Sequence, residues 1–99
     1  MNKSIHTLLY KRIVARLRSK REETGFTQKM LADMLEKPQA YISKIETCER
    51  RMDIVELRTI CKMLGLSFVD FIDEVEKEIV PEVEKIELKK YSSFNGRSI

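Results

Sequence analysis

Thr27-Gln28-Lys29-Met30-Leu31-Ala32-Asp33-Met34-Leu35 is followed, after Glu36 and Lys37, by Pro38-Gln39-Ala40-Tyr41-Ile42-Ser43-Lys44-Ile45-Glu46. In the first stretch Leu31, Ala32 and Leu35 share one helical face. In the second, Ile42 and Ile45 do. Thr27 is a good N-cap, because its hydroxyl can accept from an orphan backbone N–H. Pro38 sits at the start of the next helix, where a missing N–H does no harm. Glu36-Lys37-Pro38 is the turn. The second helix carries exposed polar side chains at its start, an arrangement that suits entry into the major groove of DNA.

Outward from this pair, the chain reads as helical. Leu9, Ile13, Val14 and Leu17 recur at three- and four-residue intervals between about residues 6 and 23, and Gly25 ends that helix. Lys11, Arg12, Arg16, Arg18 and Lys20 read as its charged outer face. Asp53 caps a fourth helix, with Ile54, Leu57, Ile60, Cys61 and Leu64 as its buried face and Gly65 as its stop. Ser67 caps a fifth, with Phe68, Phe71, Ile72 and Val75 apolar. Pro81 is expected to interrupt it. Residues 83–91 fit a short strand or a helix equally well, and residues 1–5 and 92–99 are expected to be frayed or disordered. The methionines read mostly as gap-filling core.

Composition agrees with an all-helical domain. Gly and Pro are scarce, and charged residues make up 35% of the 99. The net charge of +3 is unevenly placed. Residues 1–52 hold 12 Lys and Arg against 6 Asp and Glu, while residues 53–99 hold 7 against 10. A basic front half suits a phosphate-rich partner. The carboxylates of the fifth helix and the tail read as solvated. Cys48 and Cys61 match neither a metal spacing nor a secreted disulfide framework, so reduced thiols and a cytoplasmic location are expected. Cys61 reads as core and His6 as exposed. No apolar run approaches the roughly 20 residues of a membrane helix, and the N-terminal apolar stretch is too short for a signal peptide. The residues offer no Ser-His-acid set, phosphate-cradling Gly-rich loop or metal-ligand cluster, so an enzyme, a cofactor and a metal are not expected.

The ordered pattern Thr27-Gln28-x-x-Leu31-Ala32-x-x-Leu35, Ile42-Ser43-Lys44-Ile45-Glu46, Arg50, Leu57-x-x-Ile60 and Leu64-Gly65-Leu66-Ser67 resembles the Cro/C1-type (XRE family) helix-turn-helix domain over roughly residues 10–76. The resemblance implies an all-α, five-helix, lambda-repressor-like domain over residues 6–79, with a C-terminal extension over 80–99. It also implies a transcriptional regulator, in our reading a repressor, that binds double-stranded DNA as a homodimer through the third helix.

On that likeness Gln39, Ala40 and Lys44 are the candidate base contacts. Glutamine can pair with adenine N6 and N7, alanine can meet a thymine methyl, and lysine can reach guanine O6 and N7. Gln28 and Thr27 open the second helix beside a phosphate. Tyr41 and Ser43 flank the reading face, touching backbone or packing at its edge. Thr47, Arg50 and Arg51 follow along the next phosphates. The likeness further implies a structural ion pair between Arg21 and Glu46. Two positions depart from the family pattern. Glu36 stands where Gly often follows the second helix. A left-handed Glu costs about 1 kcal/mol or more, so the turn is expected to take another shape. Cys48 stands where the loop after Glu46 often has Gly, which bears on the path of Arg50 and Arg51. The alternative reading is a protein-interaction module, such as an antitoxin that engages a protein partner through the acidic C-terminal part.

Overall fold

The computed structural model describes the backbone of residues 4–89 and the side chains of residues 7–87. Helix α1 spans Ser4–Glu23, α2 Gln28–Met34, α3 Gln39–Glu46, α4 Ile54–Met63 and α5 Phe68–Glu74. A π-helical turn, Val75–Ile79, leads into α6, Val80–Lys89. The local chemistry explains the starts. Thr27 Oγ1 accepts from the Met30 amide at 3.0 Å and Ser67 Oγ from the Asp70 amide at 3.1 Å. Asp53 and Glu56 form a reciprocal capping box, each side chain accepting from the other's backbone N–H.

The ends of α1, α2, α3 and α4 share one device. A left-handed residue turns the chain, and the amide after it reaches back into the helix. These return bonds run from Phe26 to Arg21, Lys37 to Ala32, Glu49 to Lys44 and Leu66 to Cys61. Gly25 and Gly65 occupy two of the left-handed positions, with φ of 82° and 75°. Glu36 and Cys48 occupy the other two, with φ of 57° and 64°. The expectation that Glu36 would force another turn shape is therefore corrected. The return bond of Lys37, 2.9 Å long, and the packing of Leu31 and Ala32 hold the turn. The loop after Glu46 keeps the same geometry with Cys48 in place of glycine.

The core runs from Leu17 of α1 through Leu31, Ala32, Ile42, Ile45, Leu57, Ile60, Cys61, Leu64 and Phe71 to Val75, Ile79 and Val83. Burial pushes the Cys61 thiol up to about 11. Three expectations about burial fail. Ile54 is 67% exposed, because it is the first residue of α4 and the inward turn begins at Leu57. Met30 and Met34 are also exposed, on the outer side of α2, where Leu31 and Ala32 take the inner positions.

The back of the chain differs most from expectation. Pro81 does not interrupt the helix. The Val80 amide bonds the Val75 carbonyl, an i→i+5 step. This wider turn gives room at the carbonyl the proline ring would otherwise strike. Residues 83–89 are helical, and the remainder of the uncertain 83–91 segment lies outside the described residues, as do residues 1–3 and 90–99. The side chain of His6 is outside them too. The division expected at residues 79 and 80 falls inside one continuous helical path, and Val83 belongs to the common core. Helix α6 packs along α1. Asp70, Asp73, Glu76, Glu78, Glu82 and Glu84 are exposed as expected, but Glu82 pairs with Arg12 and Glu78 with Arg16, and the half-buried Glu74 pairs with Arg16 and Lys20. Glu87 is buried.

The left-handed Glu36 gives a direct prediction. Glu36→Gly should raise stability by about 1 kcal/mol by relieving the Cβ clash, seen as a higher thermal midpoint by circular dichroism. An unchanged or lower midpoint would mean that the turn carries no such strain.

Candidate nucleic-acid interface

Helix α3 presents Gln39, Ala40 and Lys44 as exposed side chains on its outer surface, while Ile42 and Ile45 anchor its inner face. Its first turn has no side-chain cap, because Pro38 occupies that position. Its last turn ends in Glu46, a carboxylate at the end of a helix where the backbone dipole disfavours negative charge. Arg21 of α1 answers this. Its Nε donates to Glu46 Oε2 at 2.7 Å and its Nη2 to Oε1 at 3.0 Å. Its Nη1 donates to the Phe26 carbonyl at 2.6 Å. Both side chains are buried, at 8% and 7% exposure. Gln28, the first residue of α2, donates from Nε2 to Glu46 Oε1 at 2.9 Å. Its own carbonyl oxygen accepts from Gln39 Nε2 at 3.4 Å. One hydrogen-bonded row therefore joins α1, the end of α3, the start of α2 and the start of α3.

The segment after α3 has a second set of supports. Tyr41 is half-buried, and its hydroxyl donates to Glu56 Oε2 at 2.7 Å. Arg50 Nη2 lies 2.9 Å from the same oxygen, and its guanidinium stacks 4.6 Å from the Tyr41 ring centroid. Lys37 approaches that ring at 5.2 Å. Burial, then the Glu56 hydrogen bond, pushes the Tyr41 hydroxyl up to about 12. Arg50 foremost, with the Asp53 amide and Tyr41, holds the Glu56 carboxyl down at about 2. Arg51 is exposed, with its guanidinium 4.6 Å from the ring centroid of Tyr10 in α1.

Other residues on the expected phosphate side are already engaged. The Thr27 hydroxyl caps α2. The Thr47 hydroxyl lies 3.0 Å from the Ser43 carbonyl and 2.8 Å from Glu49 Oε2, and Ser43 Oγ donates to the Ala40 carbonyl at 3.4 Å. Glu56 and Tyr10 were not among the residues singled out from the sequence. The spacing Asp53-x-x-Glu56 is a capping-box signature and marks Glu56 locally. Nothing near Tyr10 in the sequence points to residues 50–52.

The family model described as Helix-turn-helix matches residues 17–71. A solved structure, an XRE-family like protein from Pseudomonas syringae pv. tomato str. DC3000, superimposes with a TM-score of 0.72 at 35% identity, covering 75% of this chain and 90% of that one. The chain belongs to the XRE-type helix-turn-helix family. It is also 30% identical over 76 residues to the HTH-type transcriptional regulator RamB of Mycobacterium tuberculosis, in strains CDC 1551 / Oshkosh and ATCC 25618 / H37Rv. That match covers 77% of this chain and 16% of RamB, so the chain corresponds to a small part of that regulator's length.

Within this family fold the positive charge is sorted. Arg12, Arg16 and Lys20 face the carboxylates of α5, the π turn and α6. Arg16 foremost, with Lys20, holds Glu74 below the usual carboxylate range. Lys37, Lys44, Arg50 and Arg51 lie instead on α3 and its flanking segments. No described helix is long and apolar enough to cross a membrane.

Glu56→Gln isolates the charge of the second cluster. The folded carboxyl, at about 2, lies below its ordinary 4.5, so the folded state binds fewer protons than the unfolded one between these values. Stability from this group is complete above pH 4.5 and is lost as pH falls toward 2. The thermal midpoint of Glu56→Gln should therefore fall less steeply than wild type across that window. Parallel acid titrations would exclude Glu56 as a source of the dependence.

Proposed function

We propose that this protein is a sequence-specific DNA-binding transcriptional regulator that inserts α3 into the major groove. The observation that carries the proposal is the row of exposed side chains on α3, Gln39, Ala40 and Lys44, on a helix whose far end is tied down by Arg21 and Glu46. Gln39 would read adenine, Ala40 a thymine methyl, and Lys44 guanine or a neighbouring phosphate. Its bond to Gln28 restrains the Gln39 amide before DNA arrives, which lowers the entropy lost on binding. Gln28 and Thr27 at the start of α2, and Tyr41, Ser43, Thr47, Arg50 and Arg51 beside or after α3, form the phosphate-facing rim. Arg50 would exchange Glu56 for a phosphate or share its charge between them. Membership of the helix-turn-helix family and the likeness to RamB, a transcriptional regulator, support a role in transcription. We assign repression, a homodimer on a two-fold site with half-sites about one helical turn apart, and a cytoplasmic setting.

A toxin-masking module using the acidic back half has weaker support. Glu74, Glu78 and Glu82 turn toward α1 instead of forming an unengaged acidic face.

Selection of bound duplexes from a random library tests the proposal. A consensus with recurring two-fold half-sites is expected, and recovery without any consensus would contradict it. On the selected site, Gln39→Ala should cost about 1–3 kcal/mol and relax one base position. An equal loss on every sequence would remove Gln39 from base reading.

A further inference from the structure

Tyr10 lies in α1, far in sequence from the segment between α3 and α4, yet its side chain meets that segment at three points. Its hydroxyl accepts from the Met52 backbone N–H at 2.9 Å and donates to the Arg50 carbonyl at 3.3 Å. Its ring lies 4.6 Å from the Arg51 guanidinium. The two backbone groups flank Arg51 on either side. One phenol thus defines where the Arg51 backbone runs and gives its side chain a surface on which to rest.

This arrangement does more than satisfy a loop. Arg50 is tied elsewhere, through its amide to the Lys44 carbonyl and its side chain to the Arg51 carbonyl, Glu56 and the Tyr41 ring, while the Arg51 side chain stacks on Tyr10. Arg51 is exposed, as a phosphate-binding cation must be, but a long exposed side chain loses conformational freedom when it binds. A cation resting on an aromatic face is attracted to it and stays available at its edge for an oxygen ligand. We infer that Tyr10 is a positioning residue for phosphate binding by Arg51, holding both the backbone and the guanidinium in place before duplex DNA arrives. The inference rests on the regulator reading above. It assigns to α1 a part in the interface that is distinct from the Arg21 pair.

Tyr10→Phe removes the two hydrogen bonds and keeps the ring. It should be compared with wild type, Arg51→Ala and the double variant, using the full chain. Affinity for one selected duplex is measured across a salt series, and the Met52 amide is followed by hydrogen exchange. The slope of log affinity against log salt should shrink by about 0.9 for every phosphate that a protomer ceases to neutralise. Arg51→Ala is expected to show that reduction, Tyr10→Phe a large part of it, and the double variant nothing further. Base preference should be unchanged, and the Met52 amide should exchange faster in Tyr10→Phe while the central amides of α1 and α4 keep their protection. An unchanged salt slope in Tyr10→Phe, additive effects in the double variant, or uniformly faster exchange throughout the fold would each overturn the role. Wild type without duplex binding would instead overturn the regulator reading itself, together with this role.

Discussion

The buried pair of Arg21 and Glu46 is the constraint around which α3 is arranged. Taking both charges out of water is costly, and their attraction offsets that cost only with good geometry and saturated hydrogen bonding. Here both conditions hold. Arg21 makes two bonds to Glu46 and a third to the Phe26 carbonyl, and Gln28 bonds the carboxylate as well. The pair adds less to net stability than its short distances suggest, since an apolar replacement of both partners is often tolerated. What it supplies is position. With the carboxylate held on Arg21, Ile42 and Ile45 lie in the core and Gln39, Ala40 and Lys44 are exposed.

The remaining supports act on the opposite side of α3. Glu56 collects Tyr41, Arg50 and the Asp53 amide, so the start of α4, α3 and the intervening segment share one carboxylate. Helix α1 contributes at both sides, through Arg21 and through Tyr10. Helix α6 in turn lies along α1 and pairs with Arg12 through Glu82, while Glu78 of the π turn before it pairs with Arg16. Helix α6 is therefore part of the framework that supports α1, and the basic side chains near α3 stand apart from the paired cations of α1.

Local signals in the sequence account for much of this. The caps at Thr27, Asp53 and Ser67, the stops at Gly25 and Gly65, and the apolar spacing within α1, α2 and α3 are each written within a few residues. Features set by distant contacts were harder to read. The left-handed Glu36 is disfavoured locally, yet the Lys37 return bond and the packed α2 hold it. Ile54 looks like the first member of an inward stripe, but the rotation of α4 leaves it outside. Pro81 looks like a stop, and only the preceding π turn makes its position acceptable. Tyr10 reaches across 42 positions to Met52, and no local pattern encodes that pairing. Within the acidic run of α6, Glu82 and Glu84 are exposed, but Glu82 pairs with Arg12 of α1 and Glu87 is buried, and neither feature is marked locally.

Denaturant unfolding of Arg21→Met, Glu46→Leu and the double variant is the most direct measurement of the central constraint. Each single change strands one buried charge and should lose about 3–5 kcal/mol. The double variant should lose clearly less than the two together, because neither charge remains to be stranded. Losses that simply add, or single variants as stable as wild type, would contradict an Arg21–Glu46 pair that sets the pose of α3.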